Sequence, residues 1–600
     1  MTDAIAHRGN DAVGTWIQGS VGLAHRRLNT TPEELSERQP LCDESGAVCL
    51  VLDGRVDNRA DLGAALESRG VELRDNSDAE LVLQSYLQWG EDAPLRILGD
   101  FAFAVWDGRH GALFCARDVF GIRPLNYYFG GNFVLIASEL HQLFHDPRVK
   151  RVPNEGMVAE YLSVQITHRE ETLWESILRL PPAHFMWVRS SGIEKRRYWD
   201  FDLAKKVRYQ TSEEYAAHFL DLFRKAVRCR LRSCGPIGSH LSGGLDSSSV
   251  SVIANELLHE QGRVEPLDTF SLAYPGMSCD ESSYIKEIAQ HGGLRSHLVP
   301  PAQPSLDYYR QHADRYQDFP GWPTGRPMMA LPFQEGLRQL GIRVMLTGYG
   351  GNECVEGSPR SYVTELSRKG KLLELIQTAR AQATAETPQW WRLVLDYAVR
   401  PNIPSAVKRV LRPFRRRWNR FEWLDPRFRE RSALLHRIEA PGLPPHASPV
   451  QRDLYWYFCS GWSTYVHEGW DSDAALLGTD FRHPFFDRQL AEFAFALPEQ
   501  QRSHRGLVKV VLRNALRGRL PEMVIQRRVQ ADFMPVFARE LAALNGKDPF
   551  PDAAIAERGW ILPSELSSAL QRARSGDLQD LWRLWAAIGI EIWYSRMGVR

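Results

Sequence analysis

The chain has almost no charge imbalance: 74 basic and 73 acidic side chains in 600 residues leave a formal charge of +1. That excludes a chain-wide electrostatic grip on nucleic acid. No apolar run approaches the ~18 residues of a membrane span. The most apolar late stretch, Leu584–Trp593, contains Glu591 and follows Arg583. The first residues, MTDAIAHRGND, lack a basic segment followed by an apolar one, so no secretion signal is read there. These absences predict a cytoplasmic protein with neither membrane nor nucleic acid among its partners. None of the eight cysteines forms a CxxC pair, which argues against zinc. Scattered through so long a chain, they read as reduced thiols. An apolar content of 44% with 24% charged residues excludes disordered, collagen-like and coiled-coil chains. The length exceeds one ordinary core and predicts several units, or two large ones.

What is present divides near residues 200–210. Residues 1–200 read as β-rich, with strand-like runs at Val48–Leu52, Phe101–Trp106, Ala112–Ala116, Phe133–Ala137 and His184–Val188. Asp107-Gly108 and Gly130-Gly131 stand between such runs as hairpin turns do. Ala79–Trp89 has a helical period. After a polar stretch, Thr211-Ser212-Glu213-Glu214 opens a helix with capping chemistry. Strand and helix then alternate: Ile237–Leu241, helix Ser248–Leu258, strand Thr269–Ala273, helix Tyr284–His291, strand Arg343–Thr347. This order predicts a doubly wound parallel sheet, with ligands at the carboxyl ends of its strands. Residues 400–420 hold eight basic side chains and no acidic one. Such a run is a solvated helical face or a docking surface for an acidic partner.

The strongest local signal is His240-Leu241-Ser242-Gly243-Gly244-Leu245-Asp246-Ser247-Ser248-Ser249, between a strand and a helix. Small residues there let several backbone N–H groups face one anion, and the helix N-terminus adds its dipole. The hydroxyls of Ser242, Ser247 and Ser248 are candidate donors to phosphate. Asp246 fits an anion cradle only beside a cation, which implies Mg2+. No Lys follows the glycines, so this is not a Walker A loop.

SGGLDSS resembles the pyrophosphate-binding loop of ATP pyrophosphatase enzymes that make acyl-adenylates. GDFAFAVWDGRHGALFCARDVFGIRPLNYYF (Gly99–Phe129) and ASEL (Ala137–Leu140) resemble the glutaminase-like domain of asparagine synthetases. FRHPFFD (Phe481–Asp487) and KVVLRNALRGRLP (Lys509–Pro521) resemble their synthetase domain. The resemblance covers most of the chain, in family order. It implies α/β and α+β units: an amino-terminal, degenerate class II glutaminase-like (Ntn-type) β-sandwich over 1–205, and an adenylating, doubly wound parallel-sheet domain over 206–600. A helical insertion is expected at about 356–460.

The departures carry the functional reading. Class II glutaminases use an N-terminal Cys; residue 2 is Thr2, and Cys42 and Cys49 are internal. The family's NGEIYN-like glutamine clamp is Asp53-Gly54-Arg55-Val56-Asp57-Asn58, while Arg27 and Asp78 match. Such a site is not expected to release ammonia. In the synthetase half, the family's SGEGxDE turn is Thr347-Gly348-Tyr349-Gly350-Gly351-Asn352-Glu353. β-Lactam synthetase also has Tyr in the Glu position, in a Tyr–Glu pair; Glu365, Glu374 and Glu386 are candidate partners here. The GYGGNE wording is most similar to lasso-peptide cyclases. Asn352 replaces a metal-binding Asp. A late Lys in RxKxxF-like text is absent from Arg527-Arg528-Val529-Gln530-Ala531-Asp532-Phe533, leaving Arg528 or Arg527 for its role.

The resemblance thus implies an ATP- and Mg2+-dependent macrolactam synthetase acting on a precursor core peptide, with a leader peptidase and a leader-recognition protein as partners. Leu241, Ser242, Gly243, Gly244, Asp246 and Ser247 would hold the nucleotide's phosphates, and Leu272 and Gly348 would border its adenosine. Asp246, Glu353 and Asn352 would surround the metal. Tyr349, Lys509 and Arg528 would serve catalysis. Lys509 as a surface Lys, Tyr349 as a buried structural Tyr and His483 as a structural residue are the bland readings. A β-lactam synthetase-like or asparagine synthetase-like ligase on a small substrate, or a non-catalytic scaffold, are the rival functions.

Overall fold

The computed structural model describes residues 1–301, 331–383, 389–403, 421–438, 443, 447–543, 550 and 553–596. Beyond Ile403 the arginine-rich stretch lies outside the described residues, as does Glu386.

Strands β1 (Ala12–Gln18) and β2 (Val21–Arg27) form a hairpin. Strands β3 (Leu41–Cys42), β4 (Val48–Gly54), β5 (Phe101–Asp107), β6 (Ala112–Arg117), β10 (His184–Arg189) and β11 (Gly192–Arg197) form an antiparallel sheet in the order β11-β10-β6-β5-β4-β3. Strands β7 (Asn126–Phe129), β8 (Val134–Ala137) and β9 (Ile177–Arg179) form a second, ordered β8-β7-β9. Alternation along the strands sends Ala102, Ala104 and Cys115 to one face of the large sheet, where they meet Leu125 and Tyr127 of the small one. Phe103, Val105 and Phe114 point the other way, onto the helix Asp78–Trp89. The expected β-sandwich is this pair of sheets. The hairpin β1–β2 is absent from the sequence reading; its signal was the short Gly19-Ser20 turn between alternating runs.

One expectation needs correcting. Cys42 and Cys49 face each other across β3 and β4, their Cα atoms 4.0 Å apart, and form a disulfide. Strand register, invisible in scattered cysteines, makes the pair. The other six are free thiols.

The Thr211–Glu214 capping box does open the helix Ser212–Arg230. Tyr215, Phe219, Phe223 and Val227 recur every four residues and form its buried stripe. The parallel sheet follows: β12 (Ile237–His240), β13 (Asp268–Leu272), β14 (Arg295–Val299), β15 (Val344–Leu346) and β16 (Asp480–Arg482). Its order is β14-β13-β12-β15-β16. The chain winds outward one way from β12, then returns to β15 on its other side. The crevice between β12 and β15 is therefore the topological switch point, where such sheets bind ligands.

The two units share cores. Val119 and Phe120 pack with Phe458 and Phe486. The last helix, Leu581–Arg596, packs on the early helix Glu155–Leu162, and Trp593 meets Trp174 at 4.8 Å between ring centroids.

Candidate active site

The turns after β12 and β15 meet at the switch point. Gly244 caps the helix Leu245–Glu260, whose first turn presents Asp246 and Ser247. Ser247 Oγ accepts the Ser242 N–H at 2.9 Å and lies 2.9 Å from Ser242 Oγ. Leu241 is anchored by its N–H to Phe270 O at 3.0 Å. Ser248 does not serve as a phosphate donor: it is fully buried, and its hydroxyl donates to Gly244 O at 2.6 Å. The contacts require glycine. A Cβ at Gly348 would lie 2.3 Å from Ser247 N, and one at Gly351 2.3 Å from Asp246 Cγ. Gly243 donates its N–H to Glu281 Oε2 at 3.2 Å, so a carboxylate oxygen occupies one amide of the loop.

Lys509 joins the two turns. Its Nζ donates to Asp246 Oδ2 and to Asn352 Oδ1, each at 2.6 Å. The residue sits at φ +60°, capping the helix Val510–Ala515, and its side chain is only 3% exposed. It is therefore not a surface lysine. Glu353 lies in the same π-helical turn as Asn352, of the kind often found at functional sites. Burial, reinforced by Asp246, pushes its carboxyl up to about 7.

The donor set fits Mg2+. Asp246 Oδ1 is buried and has no hydrogen-bond partner among the described residues. Among those residues no cluster of three His, Cys, Asp or Glu could hold a metal unaided. Mg2+ characteristically takes one or two carboxylates plus substrate phosphates. Asp246 and Glu353 would hold it, with Asn352 as a weaker oxygen donor, and the bound ion would neutralise phosphate charge.

Tyr349 is half-buried at the same edge. Its ring packs on Phe486 at 5.2 Å, on His467 and His483 at 5.5 Å each, and on Trp470 at 5.9 Å. The suggested carboxylate partners lie elsewhere: Glu374 accepts from Tyr362 Oη at 2.5 Å and from Gln500, and Glu365 pairs with Lys369. His483 is buried, with Nδ1 2.6 Å from Thr347 Oγ1, which accepts the Tyr349 N–H at 3.3 Å. Burial, reinforced by His467, lowers the His483 imidazole to about 3. Leu272 and Gly348 stand at the carboxyl ends of β13 and β15.

The two late arginines are placed differently. Arg528 is exposed. Its neighbour Arg527 donates to Gly243 O at 2.8 Å, pairs with Glu281 and lies over the Tyr284 ring. Backbone direction, not residue type, brings Arg527 and not Arg528 to the loop. Sequence reasoning also missed Glu281, whose signal was the acidic text after β13.

Between the two units, a cavity of about 120 Å3 is lined by Arg8, His25, Asp53, Arg55 and Arg123 of the amino-terminal unit and by Asp471 of the other, among others. Arg55 is buried, with Nε and Nη2 on Asp57 at 3.0 and 3.2 Å and Nη2 2.7 Å from Asp100. Arg27 donates to Glu37 O, and Asp78 accepts from Arg59 and Arg232. The two residues that match the glutaminase pattern are thus both engaged within the protein.

Two family models match the chain: Glutamine amidotransferase domain over residues 1–199 and Asparagine synthase over residues 218–595. The chain belongs to the asparagine synthase family. It is 26% identical over 544 residues to asparagine synthetase [glutamine-hydrolyzing] 3 of Bacillus subtilis, covering 88% of this chain and 82% of that one. It is 28% identical over 428 residues to Amidase chry2 of Gibberella zeae, covering 68% and 62%. Asparagine synthetase [glutamine-hydrolyzing] 1 of B. subtilis matches at 26% identity, covering 88% and 82%. The chain is accordingly an ATP-dependent amide-forming ligase that releases AMP and diphosphate and uses Mg2+. Among the described residues, no helix is long and apolar enough to cross a membrane.

Proposed function

We propose that this ligase is a macrolactam synthetase: it activates an Asp or Glu side chain of a precursor peptide and closes a ring with the peptide's own α-amine. The observation that carries the reading is Arg55. It stands in the glutamine clamp and is neutralised by Asp57 and Asp100 rather than left to meet a substrate. With no glutamine held, the nitrogen comes from another amine, and the substrate's own is the simplest source. The side-chain carboxylate attacks the α-phosphorus of ATP and pyrophosphate leaves. The amino-terminal turn of the helix Leu245–Glu260 and Lys509 are the groups proposed to meet the charge that develops. The α-amine then attacks the acyl carbon and AMP leaves. An α-amine, with pKa ~7.7–8.0, is partly neutral at physiological pH, unlike Lys at ~10.4. The aromatic wall of Trp470, Phe486 and Tyr349 supports exclusion of water from the adenylate. Holding amine and adenylate together is worth ~7–11 kcal/mol. A leader peptidase and a leader-recognition protein are the proposed partners, and the helical insertion around Pro359–Arg368 and Leu372–Ala381 the proposed place for peptide contacts.

The test is mass spectrometry of linear peptides with a free α-amine and one Asp or Glu at graded spacings, incubated with protein, ATP and Mg2+. Loss of one water with disappearance of the free amine is expected, matched by pyrophosphate. Free asparagine made from aspartate and glutamine would overturn the reading. A second reading, an asparagine synthetase-like ligase using free ammonia, is favoured by the 88% coverage of this chain in the match to asparagine synthetase 3. Asparagine from aspartate plus ammonium, with no change in any peptide, would select it.

A further inference from the structure

Gly243 is held on both sides. Its N–H donates to Glu281 Oε2 at 3.2 Å, and its carbonyl oxygen accepts from Arg527 Nη1 at 2.8 Å. The same Nη1 pairs with Glu281 Oε1, which closes the cycle. Three segments far apart in the chain thus meet on one glycine. The cycle is walled in. A Cβ at Gly243 would fall 2.8 Å from Tyr284 Cβ, 2.9 Å from Glu281 Cβ and 3.1 Å from Arg527 Nη1. One at Gly244 would meet, among the described residues, only Ser242 Oγ at 3.2 Å. Gly243 therefore faces the protein, and Gly244 faces the open side from which an anion approaches. Glu281 is 8% exposed and opens the helix Ser282–His291, yet its side chain makes no capping bond there. An acidic residue at a helix N-terminus ordinarily serves its own helix's amides; this one turns to the loop. Arg527 is fixed in turn. Its Nε donates to Val529 O at 2.9 Å, its guanidinium lies 4.3 Å from the Tyr284 ring centroid, and its carbonyl accepts from Arg513 Nη2 at 2.8 Å. Arg513 Nε donates to Val508 O at 2.7 Å, beside Lys509.

We propose that Glu281 and Arg527 are a positioning pair that orients the strand–helix loop for the diphosphate part of ATP. The N–H of Gly243 belongs to one peptide plane and its C=O to the next. The two bonds therefore fix φ and ψ of a residue that otherwise has the widest backbone freedom. The remaining loop amides are used internally: Ser242 N–H donates to Ser247 Oγ at 2.9 Å and Gly244 N–H to Ser242 Oγ at 3.2 Å. Gly244 then caps the helix Leu245–Glu260 with no side chain to take the first-turn amides. Such amides have no partner within their own helix, and they are the donors left for an anion. With Gly243 pinned, those amides keep one direction, and less loop ordering remains to be done when phosphate binds. A guanidinium suits the task better than the Lys of the related text. Its planar donors reach Gly243 O, Glu281 and Val529 O in fixed directions, which a single ammonium nitrogen does not. With Glu281 balancing its charge, Arg527 governs ATP affinity through loop geometry rather than by attraction. The inference holds whichever amine later attacks the adenylate.

The test is isothermal titration of the full chain with magnesium diphosphate and, separately, with AMP, which lacks the part the loop would hold. Glu281→Ala and Arg527→Gln should each weaken diphosphate binding about tenfold and leave AMP within about twofold. Glu281→Gln keeps an acceptor for the Gly243 N–H and should lose about threefold. Arg527→Lys keeps the charge but not the fork, and should lose about as much as Arg527→Gln. Residues that act as one unit are not additive, so Glu281→Ala combined with Arg527→Gln should lose about tenfold rather than about a hundredfold. A role confined to stability would weaken diphosphate and AMP alike. Unchanged diphosphate affinity in Glu281→Ala, equal losses for the two probes, full affinity in Arg527→Lys, or additive losses in the double variant overturns the proposal. Should Glu281→Ala fail to fold, the loss expected of Glu281→Gln decides in its place.

Discussion

Replacing Arg55 by Met tests the argument that the old clamp has become an internal ion-pair cluster. Arg55 and Arg230 face Asp57, Asp100 and Asp487: Arg230 reaches Asp57 at 3.7 Å, Asp100 at 3.6 Å and Asp487 at 3.4 Å. Two cations thus serve three carboxylates, and the substitution leaves one. Met keeps most of the side-chain volume, so the cavity contribution is small. Removing one partner of a buried ion pair costs about 3–5 kcal/mol. Arg230 remains within reach of both orphaned carboxylates, which places the expected cost near the lower end, about 3 kcal/mol. The pH dependence gives a second handle. Burial alone would raise Asp100, but Arg55 and Arg230 outweigh it and hold the carboxyl below its usual range. In the wild type, that contribution is complete above the unfolded value of ~3.9 and fades as pH falls through the lower folded value. In Arg55→Met, burial regains weight, the carboxyl takes a proton more readily, and the variant recovers relative to wild type on acidification. Urea unfolding of the full chain at pH 7 and pH 4.5, read by tryptophan fluorescence, measures both. A penalty under ~1 kcal/mol at pH 7, or one that grows at pH 4.5, would refute the cluster.

Further outcomes follow from the switch-point crevice. Asp246→Ala should abolish pyrophosphate release with an unchanged circular dichroism spectrum; persistent release rejects its metal role. Gly351→Ala should cut release more than about tenfold, because the new Cβ falls 2.3 Å from Asp246 Cγ. Gly63→Ala is its control: it faces open space inside the helix Arg59–Glu67 and should stabilise by about 0.4–1 kcal/mol in the same unfolding assay. Arg527→Gln should weaken ATP-dependent release several-fold while Arg528→Gln stays within about twofold; the reverse order refutes the assignment of Arg527 to the loop.

The strand–helix loop at residues 242–247 was legible in the sequence because its chemistry is contiguous. Ser242 to Ser247 carry glycine, hydroxyl and carboxylate in one run between a strand and a helix. Strands with clear alternation, such as Phe101–Asp107, were legible for the same reason. The three-residue strand Asp480–Arg482 is too short to show a period. Lys509 was found, but not its embrace of Asp246 and Asn352, since those residues are far apart in the chain. Arg527 and Arg528 could not be told apart in the sequence, because adjacent residues differ only in the direction the backbone gives them. The Cys42–Cys49 bond depends on register.

The last helix has a consequence for how the protein is made. Met157, Val158 and Trp174, translated early, are covered by Trp585, Ile588 and Trp593, translated last. At ~5–20 residues per second, the ribosome needs about 20–80 s to supply that cover. Through that interval the nascent first unit keeps an apolar flank bare, a target for chaperones. Loss of the final helix would leave the opening third of the polypeptide unfinished, however intact its own sheets.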